Sequence, residues 1–475
     1  MLKNKSVLNI IEELSKSELG ITIRKLYLCK CDYYILYISE ITDRNSISNY
    51  IIKPLLYYKD SASLDIKYIA ESIITIDNLF IDNDINNIND YIVKGNSIIL
   101  STKDTNYIVA NTYKVSKRSL SEPELQTDLK GPKDSFTENF ESNISLIRYR
   151  LKDSRLNIYK TTVGERTKSS VAVIYLKDVA DSNLVNSAIE KINNIKIDGI
   201  MESGYLQKYL QEKFSLFPQT GIVERSDAAC SSLLKGKVCI VVEGGNLPII
   251  IPQTFWDFVD AGDDHYKLSY FSIFLKSIRI FSLILSLTLS SLYVAVVSFH
   301  PDILPTEYIL TLAEARATVP INAFLEAFLL EIVAEILKEA SLRLPKQVGS
   351  AIGIVGTIVI GQASVSAGLV SPLMVIIVAL STMTSFILPD YTIMSSFRVL
   401  KFFLLIFTGA FGLFGLVVGM TFIIINLVST MSFSTPYSSP MIPIDLKAIR
   451  AFFLSDIRFN NERPSFFYPK DKKRK

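Results

Sequence analysis

From Ile278 to Leu427 the chain is a succession of long apolar stretches broken by short polar connections, whereas everything before about Lys276 is mixed and charged. Ile280 to Ser298 carries no charge and is close to the ~20 helical residues needed to cross a hydrocarbon layer. A second uncharged run follows Lys401 and reaches Leu427. This pattern predicts an α/β soluble N-terminal region followed by an α-helical polytopic membrane domain. With 475 residues there is room for two or three folding units. The boundaries read as an α/β subdomain over 1–115, a linker with a Gly-Pro motif and a helix over 116–150, and a second α/β subdomain over 151–270. A helical membrane domain over 271–430 and a polar, basic tail over 431–475 complete the chain.

A net charge of +3 is too small for a nucleic-acid partner. Lys276 and Arg279 precede the first apolar run, so the soluble region is expected on the cytoplasmic side. Met1 to Leu14 lacks the apolar core of a secretory leader, because Glu12 and Glu13 interrupt it. The cysteines Cys29, Cys31, Cys230 and Cys239 form no CxxC pair and read as buried, reduced thiols.

The soluble region contains a repeat. Ile35 to Ile51 aligns with Val173 to Ile189, placing Tyr37 on Tyr175, Asp43 on Asp181 and Asn45 on Asn183. Each copy runs from a strand-like segment through an Asp-x-Asn turn into a helical pattern, and Asp suits that junction because its carboxylate accepts from free N–H groups at a helix start. Lys94-Gly95 before one apolar run matches Lys235-Gly236 before another. These matches predict two related subdomains. Between them, Gly131-Pro132 breaks regular structure, and Ser135 to Leu151 reads as a helix with Leu146, Ile147 and Leu151 on its apolar face.

Catalytic signatures are missing from the sequence. There is no Walker loop, no GxGxxG after a strand, no GxSxG elbow and no His-based metal spacing. Glu243-Gly-Gly-Asn246 reads as a hairpin turn. We therefore expect neither an enzyme nor a cofactor or metal site.

Within the apolar half, Ile321 to Arg343 carries Glu326, Glu331, Glu335 and Glu339. The last three recur every four residues and share one helical stripe. Carboxylates at membrane depth face protein or water rather than lipid, so the stripe either lines a cation path or lies at the interface. Small residues at Gly349, Gly353, Thr357, Gly361, Ser364 and Gly368 recur at helical spacing and permit close helix approach. Gln362 adds polarity there, which suits either packing within one chain or a pore between copies. Phe402 to Leu427 repeats the device with Thr408, Gly412, Gly415 and Gly419. Counting five crossings puts the tail outside, and counting four puts it inside.

Several ordered motifs give the chain a family resemblance. They include Glu122-Pro123, Lys130-Gly131-Pro132-Lys133-Asp134, Leu146-Ile147-Arg148-Tyr149-Arg150, Glu224-Arg225-Ser226-Asp227, Glu339 to Pro345, and Ile352 to Ala363 with Ala367 to Pro372. Together they resemble the A subunit of GerA-type spore germinant receptors. Lys130 and Lys133 stand where that family has arginines, and Val223 and Ser226 depart from its Thr-Glu-Arg-Pro-Asp run. Lysine keeps the charge but lacks the planar fork of arginine. The resemblance implies a location in the spore inner membrane, with partnership to a permease-like B subunit and a lipoprotein C subunit. It also implies assembly with further A subunits into a nutrient-gated ion channel. On that reading Gly353, Thr357, Gly361, Gln362, Ser364 and Gly368 are pore or helix-packing candidates, and Glu331, Glu335 and Glu339 an acidic lining. The alternatives are a non-conducting membrane scaffold, a paralogous A-like subunit supporting dipicolinate release, and a secondary transporter, for which no inverted repeat is visible.

Overall fold

The computed structural model describes residues 7–15, 19–28, 31–58, 65–114, 123, 131–343, 359, 361–456, 458 and 461–474. The chain forms two compact units. One comprises 1–213, 220–252 and 461–475, and the other 214–219 with 253–460.

The first unit holds two five-stranded sheets. Strands β1 (Ile21–Leu28), β2 (Cys31–Ile38), β3 (Leu79–Asp82), β4 (Asn96–Ser101) and β5 (Tyr107–Asn111) lie in the order β1-β2-β4-β5-β3. The second sheet contains β6 (Leu156–Val163), β7 (Ser169–Leu176), β8 (Gly221–Ile222), β9 (Val238–Val242) and β10 (Ile249–Ile251), in the order β6-β7-β9-β10-β8. With strands renumbered from the start of each copy, the two orders are identical, and every pairing is antiparallel. The register repeats as well. Ile99 lies between Ile35 and Ile108, and Ile240 lies between Val173 and Ile249.

The punctuation that marked the repeat in sequence has a structural cause. Asp43 accepts from the N–H of Asn45 at 3.3 Å and Asp181 from that of Asn183 at 3.2 Å, each opening a helix. Gly95 and Gly236 adopt positive φ angles of 86° and 97°, where each ends a helix ahead of a central strand. The copies differ in their helices. Asp181 opens a regular helix, Ser182–Asn193, while Asp43 leads through a short turn into the π-helical segment Ile47–Ile52.

The expected helix from Ser135 begins later, at Phe140, and runs to Arg150. Asn139 caps it by accepting from the N–H of Ser142 at 2.9 Å. Ser135 is drawn instead into a bridge with Arg225. The segment from Glu243 to Pro248 joins antiparallel β9 and β10 as a hairpin connection. Cys31, Cys230 and Cys239 are buried, and burial pushes the Cys230 thiol up to about 12. Cys29 lies outside the described residues. Residues 461–474 pack against the second subdomain: Arg463 donates to the Leu234 carbonyl at 2.9 Å, and the Lys470 N–H donates to that of Val179 at 2.9 Å.

The second unit is helical. Its main elements are Ser269–Phe299, Thr306–Arg316, Ala323–Arg343, Pro372–Ser385, Tyr391–Ser429 and Leu446–Leu454. Among the described residues, Ser269–Phe299 and Tyr391–Ser429 are long and apolar enough to cross a membrane. Phe217, Phe255, Phe258, Phe397 and Tyr437 form an aromatic core at one end, with Phe217 and Tyr437 rings 5.9 Å apart.

Tyr391–Ser429 is not one straight span. Gly412 interrupts it with φ 63° and ψ −141°. In an unbroken helix Phe403 and Phe422 would be roughly 28 Å apart at 1.5 Å per residue, yet their rings are 5.5 Å apart. The segment is therefore a hairpin of two antiparallel arms. A methyl group added at Gly415 would come within 2.1 Å of the Phe407 carbonyl oxygen, and one at Gly419 within 2.7 Å of Leu404. Those glycines let the arms close. The sequence reading of Phe402 to Leu427 as a single crossing is corrected here, since the chain turns back inside that run.

Candidate functional site: a carboxylate ladder among apolar helices

Three of the four acids of Ala323–Arg343, Glu326, Glu331 and Glu335, face protein, Glu339 is exposed, and each of the four has a basic partner. Glu331 is 1% exposed. One of its carboxylate oxygens accepts from Ser290 Oγ at 2.6 Å and the other lies 2.5 Å from Lys401 Nζ. Glu326 is fully buried and accepts from the Ser371 N–H and hydroxyl, with Arg316 at 3.7 Å. Glu335 pairs with Arg398 at 2.9 Å, and that guanidinium also contacts the Tyr391 hydroxyl. Glu339, more exposed, pairs within its own helix with Arg343 at 2.6 Å.

These contacts connect the acidic helix to four other segments: the first long helix through Ser290, the 306–316 helix through Arg316, the start of Pro372–Ser385 through Ser371, and the first hairpin arm through Arg398 and Lys401. Burial costs an ionised group several kcal/mol, which only a close opposite charge and further hydrogen bonds offset. The ladder is therefore a neutral, mutually dependent array. Periodicity exposed its acids, but Ser290, Arg398 and Lys401 lie too far away in sequence to be recognised as partners.

Gly361 sits near Val375, 3.6 Å from where its Cβ would be. Gln362 is exposed and Ser364 half-buried. Gly368 does something other than pack helices. Its φ is +68°, and the N–H of Leu369 donates to Ser364 O while its own N–H donates to Val365 O, both at 3.0 Å. This double closure is the helix-ending motif that selects glycine. Gly353 and Thr357 lie outside the described residues.

The motif residues of the first unit converge separately. Arg150 Nη2 donates to both Asp134 carboxylate oxygens, at 2.6 and 2.8 Å, and its Nε donates to Ser226 Oγ at 2.6 Å. Ser226 donates in turn to Asp134 at 2.5 Å. Burial pushes the Asp134 carboxyl up, but Arg150 and Ser226 outweigh it and hold the group below its ordinary value. Arg225, buried, forks onto Asp227 at 3.0 and 2.5 Å. Its guanidinium lies 2.2 Å from where a Gly131 Cβ would be, so a side chain there would push Arg225 out of its place on Asp227. The Phe136 N–H donates to the Glu224 carbonyl at 2.8 Å. Arg148 is 2% exposed and donates to the Leu19 carbonyl at 2.5 Å, carrying the network to the edge of the first subdomain. Pro132 and Lys133 flank this cluster, and Lys130 lies outside the described residues. Arg148 is buried, and Arg150 is partly exposed with its guanidinium held on Asp134 and Ser226.

A two-sheet unit is joined to a helical unit that pairs its charges internally and, among the described residues, holds two helices long and apolar enough to cross a membrane. The family described as Bacillus/Clostridium GerA spore germination protein matches residues 9–466, and the chain belongs to it. It is 32% identical to spore germination protein KA of Bacillus subtilis (strain 168), over 98% of this chain and 87% of that protein. It is 33% identical to spore germination protein A1 of the same organism, over 91% and 89%. The crystal structure of the N-terminal domain of the A subunit of the Bacillus megaterium spore germinant receptor GerK3 covers 52% of this chain and 94% of that one, with TM-score 0.41 and 24% identity.

Proposed function

We propose that the chain is the A subunit of a nutrient germinant receptor, and that copies of it assemble into an ion channel whose opening begins spore germination. Membership of the GerA family supports the germination reading. The observation that carries the channel reading is the buried ladder, an array of ionised groups held inside an apolar bundle. Ion pathways are where intramembrane charge is ordinarily found.

In this closed arrangement the acids are neutralised. Moving the acidic helix away from the hairpin would present Glu331 and Glu335 to water as a cation-attracting surface. Gly361, Gln362 and Ser364, with Gly353 and Thr357, are the candidates for the pore-facing segment. A nutrient bound on a permease-like B subunit opens the pore only by binding the open state more tightly than the closed one. A lipoprotein C subunit completes the receptor in the spore inner membrane. Lys276 and Arg279 support a cytoplasmic N-terminal region. Residues 461–475 belong to that same unit, which supports an even number of crossings, and the reversal at Gly412 turns a sequence count of five into six.

A second reading, a non-conducting scaffold or an A-like subunit supporting dipicolinate release, is favoured by one observation: Glu326, Glu331, Glu335 and Glu339 are all paired within a single chain. Purifying the chain into nanodiscs and sizing the particles separates the readings at the first step. A ring of copies supports the channel, whereas monomers throughout support the scaffold.

A further inference from the structure

The segment after the hairpin contains a feature that neither the channel nor the scaffold reading uses. Leu446–Leu454 is a nine-residue helix without a buried residue. Asp445 caps it by accepting from the N–H groups of Lys447 and Ala448. Just ahead of it Ile442 is 48% exposed, Ile444 75% and Leu446 76%. Lys447 and Arg450 are exposed beside them.

The position of this helix is fixed by its other side. Phe452 packs edge-on to Trp256 at 5.7 Å and lies beneath Lys276 Nζ at 4.0 Å. Lys276 is fully buried, 2.6 Å from Asp260 and 2.7 Å from Ser455 Oγ. It precedes the apolar run that starts at Ile278 by two residues, about 3 Å of helix rise. The tail helix is therefore held at the level where the first long helix becomes apolar. At that level Tyr270, Phe271 and Phe274 are exposed, and one to two turns further along so are Ile278, Phe281 and Ile284. An exposed Tyr270 giving way to exposed, purely apolar Ile278, Phe281 and Ile284 suits the edge of the hydrocarbon.

We propose that Ile442–Leu454 is an interfacial foot that seats on anionic lipid. Ile442, Ile444 and Leu446 enter the acyl boundary, while Lys447 and Arg450 meet headgroup phosphates. The apolar residues continue the lipid-facing surface of the first long helix, and the cations complement a negative surface. Clamped by Lys276 to the mouth of that helix, the foot makes the bilayer surface part of what the helical unit is fastened to. This inference rests on the reading of the apolar helices as membrane-spanning.

Benzoylphenylalanine placed at Ile444 of the full chain, in nanodiscs of phosphatidylcholine with or without phosphatidylglycerol, tests it by photo-crosslinking. The expected products are lipid adducts. Phosphatidylglycerol should be enriched in them over its share of the disc, by up to about fivefold for each engaged cation, and Lys447→Glu with Arg450→Glu should remove that enrichment. Arg450→Gln alone should lower it, and an unshifted Trp256 emission shows that the Phe452 contact survives. Adducts to a second copy, no lipid adduct, or enrichment that ignores the charge changes would overturn the proposal. Carbonate extraction separates the two levels: a chain that washes off the membrane fails the spanning reading, whereas one that stays but gives no lipid adduct fails only the foot.

Discussion

The two units bury charge for different ends. In the first, Asp134, Arg150 and Ser226 close a triangle at the meeting of two loops and a helix, with water close by. In the second, Glu331 and Lys401 meet buried between apolar helices, with Ser290 as the other partner of the carboxylate. The first arrangement fixes a turn, so losing a partner leaves the remaining group a route to solvent. The second leaves no such route, and its members stand or fall together. Substitutions at the ladder should therefore be costly singly and mild in pairs, and those at the triangle moderate either way.

The largest effect is expected from Lys401→Met, which strands Glu331. Breaking one side of a buried pair costs roughly 3–5 kcal/mol, visible as a lowered thermal midpoint of the detergent-solubilised chain. Adding Glu331→Gln should recover most of that loss. A double variant as unstable as the single would show that the two groups are not coupled. Gly412→Val comes next. It forces a β-branched residue to a φ of 63° and drives its Cβ to within 2.8 Å of the Phe299 ring. The expected loss is at least ~1–3 kcal/mol, and a distance label across Phe403 and Phe422 should report an opened hairpin.

In the first unit, Arg150→Lys keeps the charge but not the planar group that reaches Asp134 through Nη2 and Ser226 through Nε. About 1–3 kcal/mol should be lost, read from denaturant midpoints. Acid sharpens the contrast. The Asp84 N–H, with the Tyr91 hydroxyl and the Asn83 N–H, draws Asp82 down to about 2 against the opposing effect of burial, and Asp134 is also held below the ordinary value of 3.8. Carboxyls depressed on folding add stability that is complete above the ordinary value and lost as pH falls through the folded one. The first unit should hold its stability from pH 7 to about 5 and lose it below about 4, with Asp82→Asn flattening the decline. The smallest effect belongs to Glu339→Gln, whose exposed pair with Arg343 is worth under about 0.5 kcal/mol.

How much was legible in sequence follows the same contrast. The repeat could be read because Asp43/Asp181 and Gly95/Gly236 are local devices, each acting on neighbours a few residues away. The acidic stripe could be read because helical period is local too. The partners could not. Lys401 lies 70 residues beyond Glu331, and Ser226 lies 76 beyond Arg150. Gly412 misled for another reason: in an apolar run, a glycine that packs helices and one that reverses the chain look alike. Only the proximity of Phe403 to Phe422 separates them.

The most direct test of the account is potassium flux from liposomes carrying the purified chain, with the parent, Lys401→Met, and the Glu331→Gln/Lys401→Met pair compared at equal protein density. A channel held shut by the ladder should be tight in the parent and leak in Lys401→Met, where the acidic helix is released with its charge exposed, while the pair should return toward the tight state. Assembled particles that pass no potassium in any of the three would contradict the channel and leave the scaffold.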